Sequence, residues 1–169
     1  MRTTSQDILA YTNEDLFTEE VVIPLFKRLA ERAGYDQNGP VKVEFWGKDK
    51  RTENGIDVIF GYIDHLKQTK HLGIQCKIDK LTMGSNASLT NSIETITNQI
   101  QKAYRFSFTN IITTKDSTTK INGFYLITSK SIAKNARDYF CGLEYTNIEL
   151  LECEDLVYLM NELFPERAQ

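Results

Sequence analysis

The apolar patterns along the chain predict an α/β domain, a central mixed β-sheet flanked by helices, with its elements in the order αβββαβαβα. Three observations predict it. Runs of period-two alternation recur between runs of helical spacing. Two of the alternating runs lie close enough in sequence to form a hairpin. A late run, Phe124-Tyr125-Leu126-Ile127, is largely apolar, as strands buried on both faces are. Strands alternating with helices imply a sheet sandwiched between helices. At 169 residues, 41% of them hydrophobic, the chain can bury one good core and has the usual size of one domain. No repeat, low-complexity tract or boundary divides it, so residues 1–169 read as a single domain.

The leading helix shows in Val22, Leu25, Phe26, Leu29 and Ala33, which repeat at helical spacing before Gly34, a natural stop. Pro24 frees the carbonyl of Glu20, so the helix should kink or restart there, with Glu19 and Glu20 at the bend. Val41-Lys42-Val43-Glu44-Phe45-Trp46 alternates as a first strand. The hairpin follows, then a polar connection, Thr82 to Ser88. Leu89, Ile93, Ile96, Ile100 and Ala103 have the spacing of a buried helical face. Thr113 to Lys120 reads as a polar loop, Phe124 to Ile127 as a strand, Ser131 to Phe140 as a helix and Ile148 to Leu151 as the last strand. A closing helix from Asp155 to Leu163 is ended by Pro165.

The hairpin carries the chemistry. Asn54-Gly55-Ile56-Asp57-Val58-Ile59-Phe60 and Gly73-Ile74-Gln75-Cys76-Lys77 both read as strands, joined by the polar stretch Asp64 to Lys70. A turn near Leu66 sets Asp57 opposite Gln75 to Lys77. Side chains alternate along a strand, so Gln75 and Lys77 share a face, and pairing of Asp57 with either places it on that face as well. Ile56, Val58, Phe60, Ile74, Cys76 and Ile78 should then point the other way, into a core. A carboxylate, an amide oxygen and an ammonium at one spot suit metal-assisted phosphodiester cleavage. Mg²⁺ wants oxygen ligands and takes only one or two carboxylates beside substrate phosphate oxygens. Asp57 would be the charged ligand and Gln75 a neutral one, with the backbone carbonyl of Cys76 or another acid completing the set. Lys77 suits holding or activating the attacking water and offsetting charge on the transition state. Ordinary polar positions on an exposed hairpin face are the plain alternative.

An Asp at the start of one strand followed by Gln-x-Lys on the next resembles the PD-(D/E)XK nuclease superfamily, in particular its Mrr-like restriction endonuclease branch, where Gln replaces the usual second acid. The resemblance covers most of the chain. It includes a leading helix with a carboxylate (Glu19 or Glu20), the approach Glu53-Asn54-Gly55-Ile56-Asp57, the helix segment Gln99-Ile100-Gln101-Lys102-Ala103, and the step from Leu126-Ile127-Thr128-Ser129 into Ser131-Ile132-Ala133. No proline precedes Asp57, and the second acid is Gln75, so the commonest metal pair of the family is incomplete. The resemblance implies a restriction-endonuclease-like fold and a Mg²⁺-dependent endonuclease, with Mn²⁺ as a substitute, cutting DNA within a bacterial defence system. It implies further site residues in Glu53, which fits the pattern better than Glu44, in Glu20 as ligand or water-holder, and in Gln99, which either reaches the catalytic face or is a surface residue. Target choice would come from a partner, a homo-oligomer or a larger effector protein. A nuclease-derived module that binds nucleic acid or protein without cutting is the alternative, favoured by Gln75 and by the net charge.

That charge is −3, against the basic balance usual where DNA affinity comes from neutralising phosphates. Lys48, Lys50 and Arg51 before the site, with Lys67, Lys70 and Lys80 on or beside the hairpin, are either a phosphate track or solvated loops. No apolar run is long enough to span a bilayer and no apolar signal segment follows Met1, which leads to the expectation of a cytoplasmic protein without a membrane partner. Cys76, Cys141 and Cys153 are odd in number and lack the spacing of a zinc site or disulfide framework. They read as reduced, small apolar residues.

Overall fold

The computed structural model describes residues 2–46, 54–83, 92–113, 117–144 and 147–165. Glu53, Lys48, Lys50 and Arg51 lie outside the described residues.

The leading helix is broken into pieces, each with a local cause. α1 (Ser5–Leu9) opens on a capping box, in which the Asp7 N–H donates to the Thr4 hydroxyl and the Asp7 carboxylate accepts from the Thr4 N–H. α2 (Glu14–Phe17) is capped by Asn13, whose side-chain oxygen accepts from the N–H groups of Asp15 and Leu16. A π-helical turn, Thr18–Val22, connects α2 to α3 (Ile23–Arg32). Pro24 has no N–H to offer the Glu20 carbonyl, and the chain adopts a wider turn there, with the Ile23 N–H reaching the Thr18 carbonyl.

β1 (Lys42–Phe45), β2 (Val58–Ile63) and β3 (Thr69–Lys77) form an antiparallel meander, with the pairs Val43↔Phe60 and Val58↔Ile74 fixing the registers. The hairpin between β2 and β3 turns where expected. Asp64 accepts through its side chain from the N–H groups of Leu66 and Gln68, and Lys67 takes the left-handed conformation at φ 60°. α4 (Ile93–Arg105) begins the crossover to the next strand of the sheet, and its Ser92 cap accepts from the Thr95 N–H. β4 (Phe108–Thr109) and β5 (Thr118–Thr119) make a short antiparallel ribbon within that crossover, where the sequence reads as loop. β6 (Gly123–Thr128) pairs parallel with β3, and α5 (Lys134–Cys141) leads to β7 (Ile148–Leu151), parallel to β6. α6 (Cys153–Leu163) closes the order. The main sheet runs β1-β2-β3-β6-β7.

Two cores flank this sheet. One packs Phe17, Val22, Leu25, Phe26, Leu156 and Met160 from α2, the π turn, α3 and α6 against Val58, Phe60, Ile74, Cys76 and Ile127. The other packs Ile96, Ile100, Ala136 and Phe140 from α4 and α5 against Ile59, Phe124 and Leu126. β6 is covered on both faces, as its apolar run requires. Ile56 departs from the expected face. It joins Ile59 in the α4 core while Val58 joins the α3 core, because the chain before β2 leaves regular pleating. The helix expected from Ser131 begins only at Lys134, since Ile132 bridges to Leu81 and its N–H donates to the Glu152 carboxylate at 2.6 Å.

Candidate active site

Asp57 stands one residue outside β2, at the level of Gln75. Its N–H donates to the Ile74 carbonyl at 2.8 Å, its own carbonyl accepts from the Trp46 N–H at 2.8 Å, and its Oδ2 accepts from the Cys76 N–H at 2.6 Å. Backbone pairing thus holds the residue on both sides, while the carboxylate is tied to the strand that carries Gln75 and Lys77. A carboxylate accepting a backbone N–H in a dry site is a strong, charge-assisted contact. Asp57 is fully buried rather than displayed on an exposed hairpin face.

Gln75 is fully buried as well, on the face of β3 opposite Ile74 and Cys76. Its Nε2 donates to the Gln99 Oε1 at 2.7 Å, which brings α4 to the site and orients the amide. Among the described residues the Gln75 Oε1 has no hydrogen-bond partner, although burial of an unmet acceptor costs about 1–3 kcal/mol. Gly55 makes the approach possible. At φ 66° it adopts a left-handed conformation, and a Cβ there would lie 2.6 Å from the Gln99 carbonyl oxygen. Asn54 to Asp57 can therefore lie directly on the α4 backbone.

Lys77 ends β3, 6% exposed, at the level of Thr128 in β6. Its Nζ lies 3.7 Å from the Glu14 carboxylate, at the first position of α2. Glu14 is the acid that sequence reasoning missed. Acids in a first helical turn are ordinarily explained by the helix dipole, and no spacing rule separates Glu14 from Asp15. Glu20, the expected acid of the leading helix, is not brought here. It is exposed, accepts from the Tyr11 hydroxyl at 2.9 Å and lines a recess with Arg2 and Met160. The core contacts of Phe17, Val21 and Val22 turn Glu19 and Glu20 outward. Glu44 lies on β1 and accepts from the Trp46 indole at 3.0 Å.

Gln75 and Lys77 thus lie at the carboxyl end of β3 with Asp57 at the level of Gln75, Gln99 of α4 contacting Gln75 and Glu14 of α2 contacting Lys77. Among the described residues no three His, Cys, Asp or Glu side chains cluster as a metal site. The donor set here is different: one carboxylate and one buried, unmatched amide oxygen, both hard oxygen donors. That fits Mg²⁺, which retains waters and needs few protein ligands. The Cys76 side chain packs in the α3 core, as expected, and its backbone N–H contacts Asp57.

No protein-family model matches the chain, and no curated protein matches it. Two solved structures are similar. One is the MspJI restriction endonuclease in complex with a 27-mer oligonucleotide, 14% identical, with a TM-score of 0.45 over 96% of this chain and 33% of that one. The other is the DNA modification-dependent restriction endonuclease AspBHI, 12% identical, with a TM-score of 0.43 over 96% of this chain and 38% of that one. The chain spans between a third and two fifths of the length of these structures. No described helix is long and apolar enough to cross a membrane.

Proposed function

We propose that the chain is a Mg²⁺-dependent endonuclease of the PD-(D/E)XK type, in its Mrr-like branch, hydrolysing phosphodiester bonds of DNA as the effector part of a bacterial defence system. One observation carries the reading. The Asp57 carboxylate accepts from the N–H of Cys76, the residue between Gln75 and Lys77, and the buried Gln75 amide oxygen has no hydrogen-bond partner among the described residues.

Asp57 and the Gln75 Oε1 would hold the ion, with the Cys76 carbonyl as a third oxygen. Bound there, Mg²⁺ supplies Lewis-acid polarisation of a phosphate oxygen. The residues of the chain do the rest. Lys77 would hold the attacking water and donate from its Nζ to a non-bridging oxygen. As the water oxygen bonds to phosphorus, the P–O bond to the leaving sugar oxygen breaks and the water proton passes through solvent to that oxygen, while burial strengthens the effect of the ammonium on the developing charge. Glu14 keeps the ammonium from drifting out of line. Gln99 fixes the Gln75 amide so that its oxygen, not its nitrogen, is offered to the site. Mn²⁺ should substitute for Mg²⁺, since both accept an all-oxygen set.

A non-cutting, nuclease-derived binding module is the second reading, favoured by the single carboxylate among the three central side chains. Metal-dependent nicking of supercoiled plasmid by the parent, compared with Lys77→Ala, separates the two. Nicking by the parent alone supports the nuclease, and binding without nicking in Mg²⁺ or Mn²⁺ supports the module.

A further inference from the structure

A cleft of about 760 Å³ opens between β1 and the β4–β5 ribbon, a volume within the range of small-molecule sites. It lies on the α4 side of the sheet, the side on which Gln75 meets Gln99. Its wall is aromatic. The Trp46 ring meets Phe106 and Phe108 edge-on, with centroids 5.8 and 5.6 Å away, and the two phenylalanine rings are within 17° of parallel. Phe106 is half-buried and lines the cleft, so part of its ring remains available. Glu44, bonded to the Trp46 indole, and Asn54 supply polar groups. The Trp46 N–H that donates to the Asp57 carbonyl connects this wall to the catalytic hairpin through one hydrogen bond.

We propose that this cleft receives one unpaired nucleobase of the strand whose phosphate is presented to Asp57, so that the preferred substrate carries an unpaired or extruded base beside the scissile bond. The proposal rests on the nuclease reading and names its substrate. Charge among the described lining residues favours a base over the backbone. Lys42 is the only cation among them, and Glu44 offsets it, so these residues offer a phosphate no net positive charge. A base supplies what the wall can use: a flat face for Phe106, and ring or exocyclic N–H groups for the Glu44 carboxylate and the Asn54 amide. A peptide added to the β1 edge would pair through backbone and would not need the ring.

Trp46 is the only tryptophan in the sequence, so its fluorescence reports the cleft directly. The parent protein, with chelator present to prevent cutting, is titrated with a short single-stranded oligonucleotide, a wholly abasic strand of equal length and the matching duplex. The proposal expects a saturable fluorescence change with the base-bearing strand. Binding should be roughly tenfold weaker or worse for the abasic strand, for the duplex, and for Phe106→Leu, which keeps an apolar side chain but loses the stacking face. No change with any strand, or equal binding of abasic and base-bearing strands by the parent, overturns it. So does undiminished binding by Phe106→Leu. Plasmid nicking measured on the same preparation keeps the two ideas apart: nicking without a base-dependent signal removes the base site and leaves the nuclease.

Discussion

The Gln75 amide nitrogen donates to the Gln99 side-chain oxygen at 2.7 Å, and in this arrangement the Gln75 Oε1 is the end of the amide with no hydrogen-bond partner among the described residues. A neutral amide is a usable metal ligand only through its oxygen. The contact joins β3 to the helix that crosses after the hairpin.

Gln99 should therefore act through Gln75. Gln99→Glu keeps an acceptor for the Gln75 Nε2 and is expected to preserve cleavage, whereas Gln99→Met removes it and leaves a buried donor unmet. The second variant should lose about 1–3 kcal/mol of stability. It should also need more Mg²⁺ for half-maximal rate. A metal titration of rate separates this positioning role from plain destabilisation, and an unchanged midpoint in Gln99→Met would contradict it.

Lys77 and Glu14 should be energetically coupled. Their side chains are 8% and 22% exposed, so solvent screens the pair in part, and Glu14→Gln is expected to cost roughly 1 kcal/mol. Lys77→Met alone should remove turnover by orders of magnitude with a small effect on DNA affinity. In a double-mutant cycle by denaturant unfolding, the two changes should be less damaging together than their sum. Strict additivity would show that the pair does not interact.

Gly55→Ala tests the close approach to α4. The left-handed backbone at Gly55 and a 2.6 Å contact with the Gln99 carbonyl together predict a loss of about 2–4 kcal/mol, read as a fall in Tm. An alanine variant as stable as the parent would mean that this loop does not lie on α4 as described.

How much of this was legible in sequence follows from what each contact depends on. The register of Asp57 with Gln75 is a matter of period-two alternation and of turn position at Leu66, both local, and β2 and β3 pair accordingly. Gln99 could be placed only beside a helical stripe, because its role depends on where α4 crosses the sheet. Glu14 was invisible for a similar reason: its partner is 63 positions away, and a first-turn acid already has a local explanation. Glu20 is turned outward, toward Tyr11, because the apolar positions around it orient the π turn. The switch of Ile56 to the other core, and the β4–β5 ribbon of two-residue strands, depend on hydrogen bonds that no apolar period records.

A pH dependence is expected from His71. It is buried beside Phe108, and burial holds its pKa below the ordinary 6.5, against an Asn110 hydrogen bond that raises it. The folded state therefore prefers the neutral ring, while the unfolded chain takes up a proton near 6.5. Stability from this group is complete above pH 6.5 and is lost as pH falls through 6.5 toward the lower folded value. Denaturant unfolding of the parent should show this decline, and His71→Leu should flatten it. An equal decline in both would assign the effect to other groups.

If Asp57, Gln75 and Lys77 form a metal-dependent phosphodiesterase site, single-turnover cleavage of DNA in Mg²⁺ and Mn²⁺ must differ between the parent and Asp57→Asn. Asparagine can still accept the Cys76 N–H, so the fold should survive with a loss of about 1 kcal/mol or less. The parent should cut, with chelation stopping it, and the folded Asp57→Asn protein should not. Metal-dependent cutting of equal rate by Asp57→Asn, or a folded parent that binds DNA and cuts with neither ion, would contradict such a site.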